Sequence, residues 1–144
     1  MEDKALGLLG MMRRARAVET GTDSACDTVR SGRAKLLILS ADAADNALRK
    51  AENAADGRRV ILLPVHYTRA ELGAALGMGE CSMAAVTELG FAESFVKLLA
   101  EENPERYGEI AQELSRRREK NARRKREKAG RADSKRNGMR RTEV

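Results

Sequence analysis

The sequence predicts an α/β protein: a three-layer α/β/α sandwich around a small mixed sheet, followed by a basic C-terminal tail, partly helical and disordered at its end. Three observations carry that expectation. Short aliphatic runs, "AKLLILS", "RRVILLPV" and "SMAAVTE", alternate with longer segments of helical period, the pattern of strands covered on both faces by helices. Gly32, Gly57 and Pro64 fall where one such segment gives way to the next. Charge is also divided unevenly: residues 1–104 hold 13 Lys/Arg against 15 Asp/Glu, and residues 105–144 hold 15 against 7.

In chain order, "KALGLLGMMRRARA" places Leu6, Leu9 and Met12 on one helical face, with Arg13, Arg14 and Arg16 at its C-terminal end, where the helix dipole favours cations. A short extended piece, residues 17–20, leads into Gly21. "TDSACDTVRSG" reads as a helix capped by Thr22 or Asp23, with Ala25 and Val29 inward and Gly32 at its end. The first buried strand follows, then the helix "AADNALRKAENAADG", closed by Gly57. The second strand stops at Pro64. "TRAELGAALG" is a helix with Thr68 and Glu71 at capping-box spacing. After the third strand, "GFAESFVKLLAEE" sets Phe91, Phe95, Leu98 and Leu99 along one side of a further helix.

Asn103-Pro104 restarts the chain as a helix, Asn as cap and Pro at the first helical position. Tyr107, Ile110 and Leu114 continue an apolar stripe that can dock on the domain. Beyond Leu114 the apolar residues stop, and residues 115–144 hold 14 Lys/Arg against 4 Asp/Glu. Glu113–Arg117, Glu119–Arg123 and Glu127–Arg131 stand at i, i+4, worth roughly 0.2–0.5 kcal/mol each. A nascent helix that frays beyond Gly130 and orders on a partner is expected.

The composition narrows the chemistry. Two cysteines, Cys26 and Cys81, are too few for a disulfide framework and lack a metal-type spacing, and they read as two small, partly buried thiols. His66 is the only histidine and has no ligand or nucleophile beside it. No phosphate loop, GxGxxG or HExxH is present, so neither an enzyme, a cofactor nor a small-molecule substrate is expected. No run of about 18 apolar residues occurs. A soluble, cytoplasmic protein without a membrane partner is the expectation.

Four blocks, "LLGMMRRARAVETG", "RSGRAKLLILSADA", "AELGAALGMGE" and "AAVTELGFA", stand in an order and spacing that resemble the bacterial YlxQ-type proteins. These belong to the L-seven-Ae/L-thirty-e ribosomal protein superfamily, whose members commonly bind RNA kink-turns. The resemblance runs from about Leu6 to Leu99. It divides the chain into a domain of that type over residues 1–103 and a basic extension over residues 104–144. It implies two loops lying side by side and clasping bent RNA: the turn Gly21, Thr22, Asp23 and Ser24, and the loop Met78, Gly79, Glu80, Cys81 and Ser82. An acidic pair after the first buried strand is half present, as Ala41 and Asp42.

Departures from the pattern weaken that implied grip. Asp23 offers only acceptors. Asp27 stands where relatives carry a phosphate-binding Lys, and Ala17 and Met78 stand where cations are common. Much nucleic-acid affinity comes from neutralising phosphates, so the implied clasp is short of charge. Gly21 still suits close approach of a backbone. The turn is a helix start in any case; contact with RNA rests on the resemblance.

The expected function is a non-enzymatic RNA-binding protein, ribosome-associated or bound to other structured RNA. Arg13, Arg14 and Arg16 border the clasp, and the tail cations Arg116, Arg117, Arg118, Arg123, Arg124, Lys125 and Arg126 supply phosphate contacts. Because no aromatic residue follows Tyr107, the tail is expected to read backbone rather than bases. The alternative is a protein–protein interaction module of the same fold that has lost specific RNA reading.

Overall fold

The computed structural model describes residues 3–142 along the backbone, with side chains through Gly130. Six helices and four strands follow one another as α1 (Lys4–Arg14), β1 (Val18–Thr20), α2 (Thr22–Arg30), β2 (Leu36–Leu39), α3 (Asp45–Ala55), β3 (Ile61–Pro64), α4 (Arg69–Ala75), β4 (Met83–Val86), α5 (Leu89–Glu102) and α6 (Pro104–Thr142).

The short extended piece before Gly21 is a fourth strand. β1 pairs antiparallel with β4, Val18 opposite Val86 and Thr20 opposite Ala84. The sheet order is β1-β4-β2-β3, with β2 antiparallel to β4 and parallel to β3. The sheet is therefore mixed. Side chains alternate across it, as the pleat requires. Leu36, Ile38, Leu63, Ala84 and Val86 face α1, α4, α5 and α6 in one core. Leu37, Leu39, Met83 and Ala85 face α2 and α3 in the other. This is the expected three-layer sandwich, and it explains why the strands read as unbroken aliphatic runs: both faces are covered.

Several local signals act as the sequence predicts. Thr68 accepts from the Glu71 N–H while the Glu71 carboxylate accepts from the Thr68 N–H, a closed capping box. The Asn103 side chain accepts from the Arg106 N–H at 3.1 Å. Gly32 and Gly57 take positive φ just past α2 and α3, the left-handed geometry that ends a helix without strain in glycine. Phe95 and Leu99 are fully buried, with Phe91 and Leu98 half-buried beside them.

The cap of α2 differs from expectation. Neither Thr22 nor Asp23 caps it. Gly21 occupies the N-cap position with φ 97° and ψ 154°, and no side chain caps the helix. The reason lies in the sheet: the Gly21 N–H donates to the Met83 carbonyl at 3.0 Å, which holds the chain in a conformation only glycine adopts easily.

α6 carries the core past the end of α5. Tyr107 and Leu114 are fully buried and Ala111 nearly so; burial of each large side chain contributes about 1.5–3 kcal/mol. Arg106 Nη2 donates to the Pro64 carbonyl at 3.2 Å, and Arg117 Nη1 donates to the Arg59 carbonyl at 2.7 Å. α6 therefore runs antiparallel to β3, from the end of that strand past its beginning. The backbone stays helical to Thr142. The fraying that the sequence predicts beyond Gly130 is therefore not what the backbone shows, the i, i+4 ladder continuing through Thr142; side chains from Arg131 onward lie outside the described residues. Among the described residues, no helix is long and apolar enough to cross a membrane.

Candidate nucleic-acid interface

The strand directions gather four connections at one end of the sheet. Thr20, Leu39 and Pro64 end β1, β2 and β3 there, and Met83 begins β4. Backbone hydrogen bonds stitch the connections together: Gly21 N–H to Met83 O at 3.0 Å, Ser40 N–H to Ser82 O at 2.9 Å, and Ala41 N–H to Tyr67 O at 2.8 Å. The Gly21 turn and the loop before β4 thus lie side by side.

That loop rests directly on α4. An added Cβ at Gly73 would sit 2.5 Å from the Gly79 carbonyl oxygen and 2.8 Å from the Glu80 Cα. Gly73 is therefore what permits residues 78–80 to lie against the helix. The Cys81 N–H, donating to Arg69 O at 3.0 Å, closes the loop's far side. Gly79 and Glu80 are exposed, Ser82 is half-buried, and Met78 packs partly onto the core. Cys81 is different: it is buried, and its Sγ donates to the Met83 carbonyl at 3.1 Å. Its thiol faces the core, not the loop surface.

Charges around the turn are largely paired. Arg13 Nη1 donates to Thr20 Oγ1 at 2.6 Å, which fixes one guanidinium at the edge of the turn. Arg14 and Arg16 are exposed near it in sequence, Arg16 at φ 58°. Asp23 meets Lys50 at 3.8 Å, and Asp27 meets Arg30 at 3.3 Å. Ser24 Oγ donates to Glu19 Oε2 at 3.4 Å. Ala17, one of the positions where relatives carry cations, is buried. No side chain caps the N-terminus of α2, whose first N–H groups carry a partial positive charge suited to an anion.

Asp42 has structural employment. It accepts from the Arg69 N–H at 2.7 Å and pairs with the Arg69 guanidinium at 3.5 Å. The Arg69 backbone donor, then the nearby positive charge, holds its carboxyl below the ordinary range. It secures the start of α4 beside the loop that α4 supports.

The tail cations separate into two groups. Arg116 and Arg117 pair with Glu113 at 2.7 and 2.8 Å, and Arg118 Nη1 donates to the buried Glu93 at 2.8 Å. Glu113 lies on α6 itself, so Arg116 is paired within the helix, while Arg117, through the Arg59 carbonyl, and Arg118, through Glu93, fasten α6 to the domain. Arg123 pairs with Glu119 at 3.7 Å, while Arg124, Lys125 and Arg126 are exposed. None of the seven lies at the Gly21 end of the sheet.

The cysteines lie on opposite faces of the sheet, Cys26 against α3 and Cys81 with α4. Both thiols are free and buried, and burial pushes the Cys26 thiol up. His66 Nδ1 lies 2.9 Å from the Tyr107 hydroxyl, which also accepts the His66 N–H at 3.1 Å. The histidine anchors α6.

Residues 3–96 match the profile of the Ribosomal protein L7Ae/L30e/S12e/Gadd45 family. The chain belongs to that family. It is 37% identical over 92 residues to the RNA-binding protein YlxQ of Bacillus subtilis (strain 168), covering 64% of this chain and 91% of that one. A solved Bacillus halodurans C protein of unknown function superposes with a TM-score of 0.62 at 32% identity, over 67% of this chain and 97% of the other. The Giardia lamblia 15.5kD RNA binding protein shares the fold, with a TM-score of 0.55 at 18% identity over 70% and 89%. The family match ends within α5, so α6 and everything it brings to the surface lie beyond it.

Sequence reasoning missed three contributors: Gly73, and the cations Lys35 and Arg59 at the far end of the sheet. Gly73 sits inside a helical pattern, where a buried glycine signals close approach only after its neighbour is known. Lys35 stands one residue ahead of β2 and Arg59 two ahead of β3, and parallel pairing of those strands is what places them at the same end of the sheet.

Proposed function

We propose that this protein binds structured RNA, of kink-turn type, through the Gly21–Ser24 turn and the loop Met78–Ser82, with the basic segment of α6 adding phosphate contacts. The observation that carries the reading is the Gly21 N–H to Met83 O bond at 3.0 Å. It holds the two loops together in a chain of this family, one of whose relatives is named an RNA-binding protein. Thr22, Asp23 and Ser24 present side chains and N–H groups to bases. Arg13, fixed on Thr20, stands with Arg14 and Arg16 for the adjoining phosphates. Ribosome association and a cytoplasmic location fit the same reading.

The test is fluorescence anisotropy with a labelled RNA hairpin containing a kink-turn, against the same hairpin with the kink straightened by full base pairing. Preference for the kinked hairpin is the expected result. No measurable affinity for either at 20 mM salt overturns the reading. Partners captured equally before and after nuclease digestion would assign the domain to protein recognition instead.

A further inference from the structure

The sheet end away from the Gly21 turn carries a cleft of about 470 Å³ between α6 and the segments that precede β2 and β3. Six cations line it: Lys35, Arg58 and Arg59 from the domain, and Arg117, Lys120 and Arg124 from α6. Topology assembles them. β2 and β3 run parallel with Leu36 opposite Ile61, so the residues just ahead of each strand emerge together. The Arg117–Arg59 bond then lays α6 across that edge. Arg117, Lys120 and Arg124 recur at spacings of three and four, one face of a helix.

Of these six charges only Arg117 has an ion-pair partner among the described residues, Glu113 at 2.8 Å. Among the described residues, no carboxylate lies within ion-pair distance of Lys35, Arg58, Arg59, Lys120 or Arg124. Glu113 is held by both Arg116 and Arg117. A concave surface with one sign of charge focuses its field and draws counter-ions of the other sign. No aromatic side chain lines the cleft, so base stacking is absent from what it offers. Guanidinium forks and ammonium groups without a stacking surface suit phosphate oxygens.

We infer that this cleft is a second RNA site, which grips phosphodiester groups of a segment other than the one held by the loops. The inference rests on the RNA-binding reading above. Strands of four residues span about 13 Å, so one phosphate cannot reach both ends. The loop end selects shape, and the cleft holds backbone of any sequence. The cleft needs both the domain and α6, and Lys125 and Lys128 continue its cationic track along the helix.

Anisotropy on the full chain tests this with a 20-nucleotide oligouridylate, which has no kink, beside the kink-turn hairpin. The variant is Lys35→Gln with Arg59→Gln; both side chains are exposed, and an unchanged thermal midpoint verifies the fold. The expected result is an affinity for oligouridylate about 10-fold lower at 50 mM salt. The slope of log K against log salt should shrink by about 1.4, for two lost contacts on a single strand. A control pair with the same charge loss outside the cleft, Lys4→Gln with Arg49→Gln, should shrink it by less than half as much. Equal effects from the two pairs, or an unchanged slope in the cleft pair, overturn the second site and leave the loop-end reading standing. Loss of polyglutamate binding with oligouridylate binding intact would overturn it too, assigning the cleft to acidic proteins. A full chain without affinity for either RNA overturns the RNA-binding reading, and the second site with it.

Discussion

Arg117 donates through Nη1 to the carbonyl oxygen of Arg59 at 2.7 Å, at the beginning of β3, while the Gly21 turn lies at the end of the sheet where β3 stops. The basic helix therefore leaves the domain on the side away from the loops that the family fold brings together. Cations that look in sequence like a simple reinforcement of the loop grip are, in space, a separate surface.

Two RNAs should accordingly bind at once. A donor-labelled kink-turn hairpin and an acceptor-labelled oligouridylate, mixed with the full chain at concentrations that saturate each alone, should give energy transfer that neither gives without protein. Full competition, each RNA displacing the other stoichiometrically, would show one shared surface.

Attachment of α6 should depend on pH through Glu93. Burial alone would raise its pKa, but hydrogen bonds from Arg118 and Lys97 outweigh burial and leave it lowered. A folded value below the unfolded one, about 4.3 for glutamate, means the stabilisation is fully present above that pH. It disappears as pH falls through the folded value. The thermal midpoint should therefore drop below about pH 4, and less steeply in Glu93→Gln. Arg118→Ala, which removes one donor from a buried carboxylate, should cost about 1–2 kcal/mol at pH 7 in denaturant titration.

Much of this architecture was legible because its signals are local. Aliphatic runs of four or five residues, the Thr68–Glu71 box and the Asn103-Pro104 start each specify their geometry within one turn of chain. β1 was only half legible: three residues with one buried side chain do not announce a strand until Val18 finds Val86. The α2 cap was misread because Thr22 and Asp23 are good capping residues beside a glycine that β4 holds through its N–H. Neither the cleft nor the Gly73–Gly79 approach was legible, since each depends on which distant segment arrives. Arg117 and Arg118 look identical to Arg124 in sequence, and only the Arg59 carbonyl and Glu93 distinguish fasteners from free charge.

Gly73→Ala probes the loop end alone. The new methyl group would meet backbone atoms of Gly79 and Glu80 at 2.5–2.8 Å, contacts that only a shift of the loop relieves. The expected cost is about 1–3 kcal/mol, with weaker binding of the kink-turn hairpin and unchanged binding of oligouridylate. Gly108→Ala is the comparison. Nothing lies within 4 Å of its added Cβ, and an alanine inside α6 should stabilise by about 0.5–1 kcal/mol. Equal loss of both RNAs in Gly73→Ala would mean that the loop and the cleft are not independent.

A truncation probes the other end, and its position matters. Removing residues 121–144 takes away 10 Lys/Arg and 3 Asp/Glu but leaves the Arg117–Arg59 and Arg118–Glu93 ties in place. A cut at residue 116 would confuse lost charge with an undocked helix. If the intact chain neutralises about 6–10 phosphates, its affinity should fall roughly 10³–10⁵-fold between 50 and 200 mM salt. The truncated chain should show a flatter dependence, while its preference for kinked over straight hairpin persists, because shape is read at the far end of the sheet. An unchanged salt slope would mean that the body alone carries the electrostatics, and lost kink preference would mean that α6 takes part in reading shape.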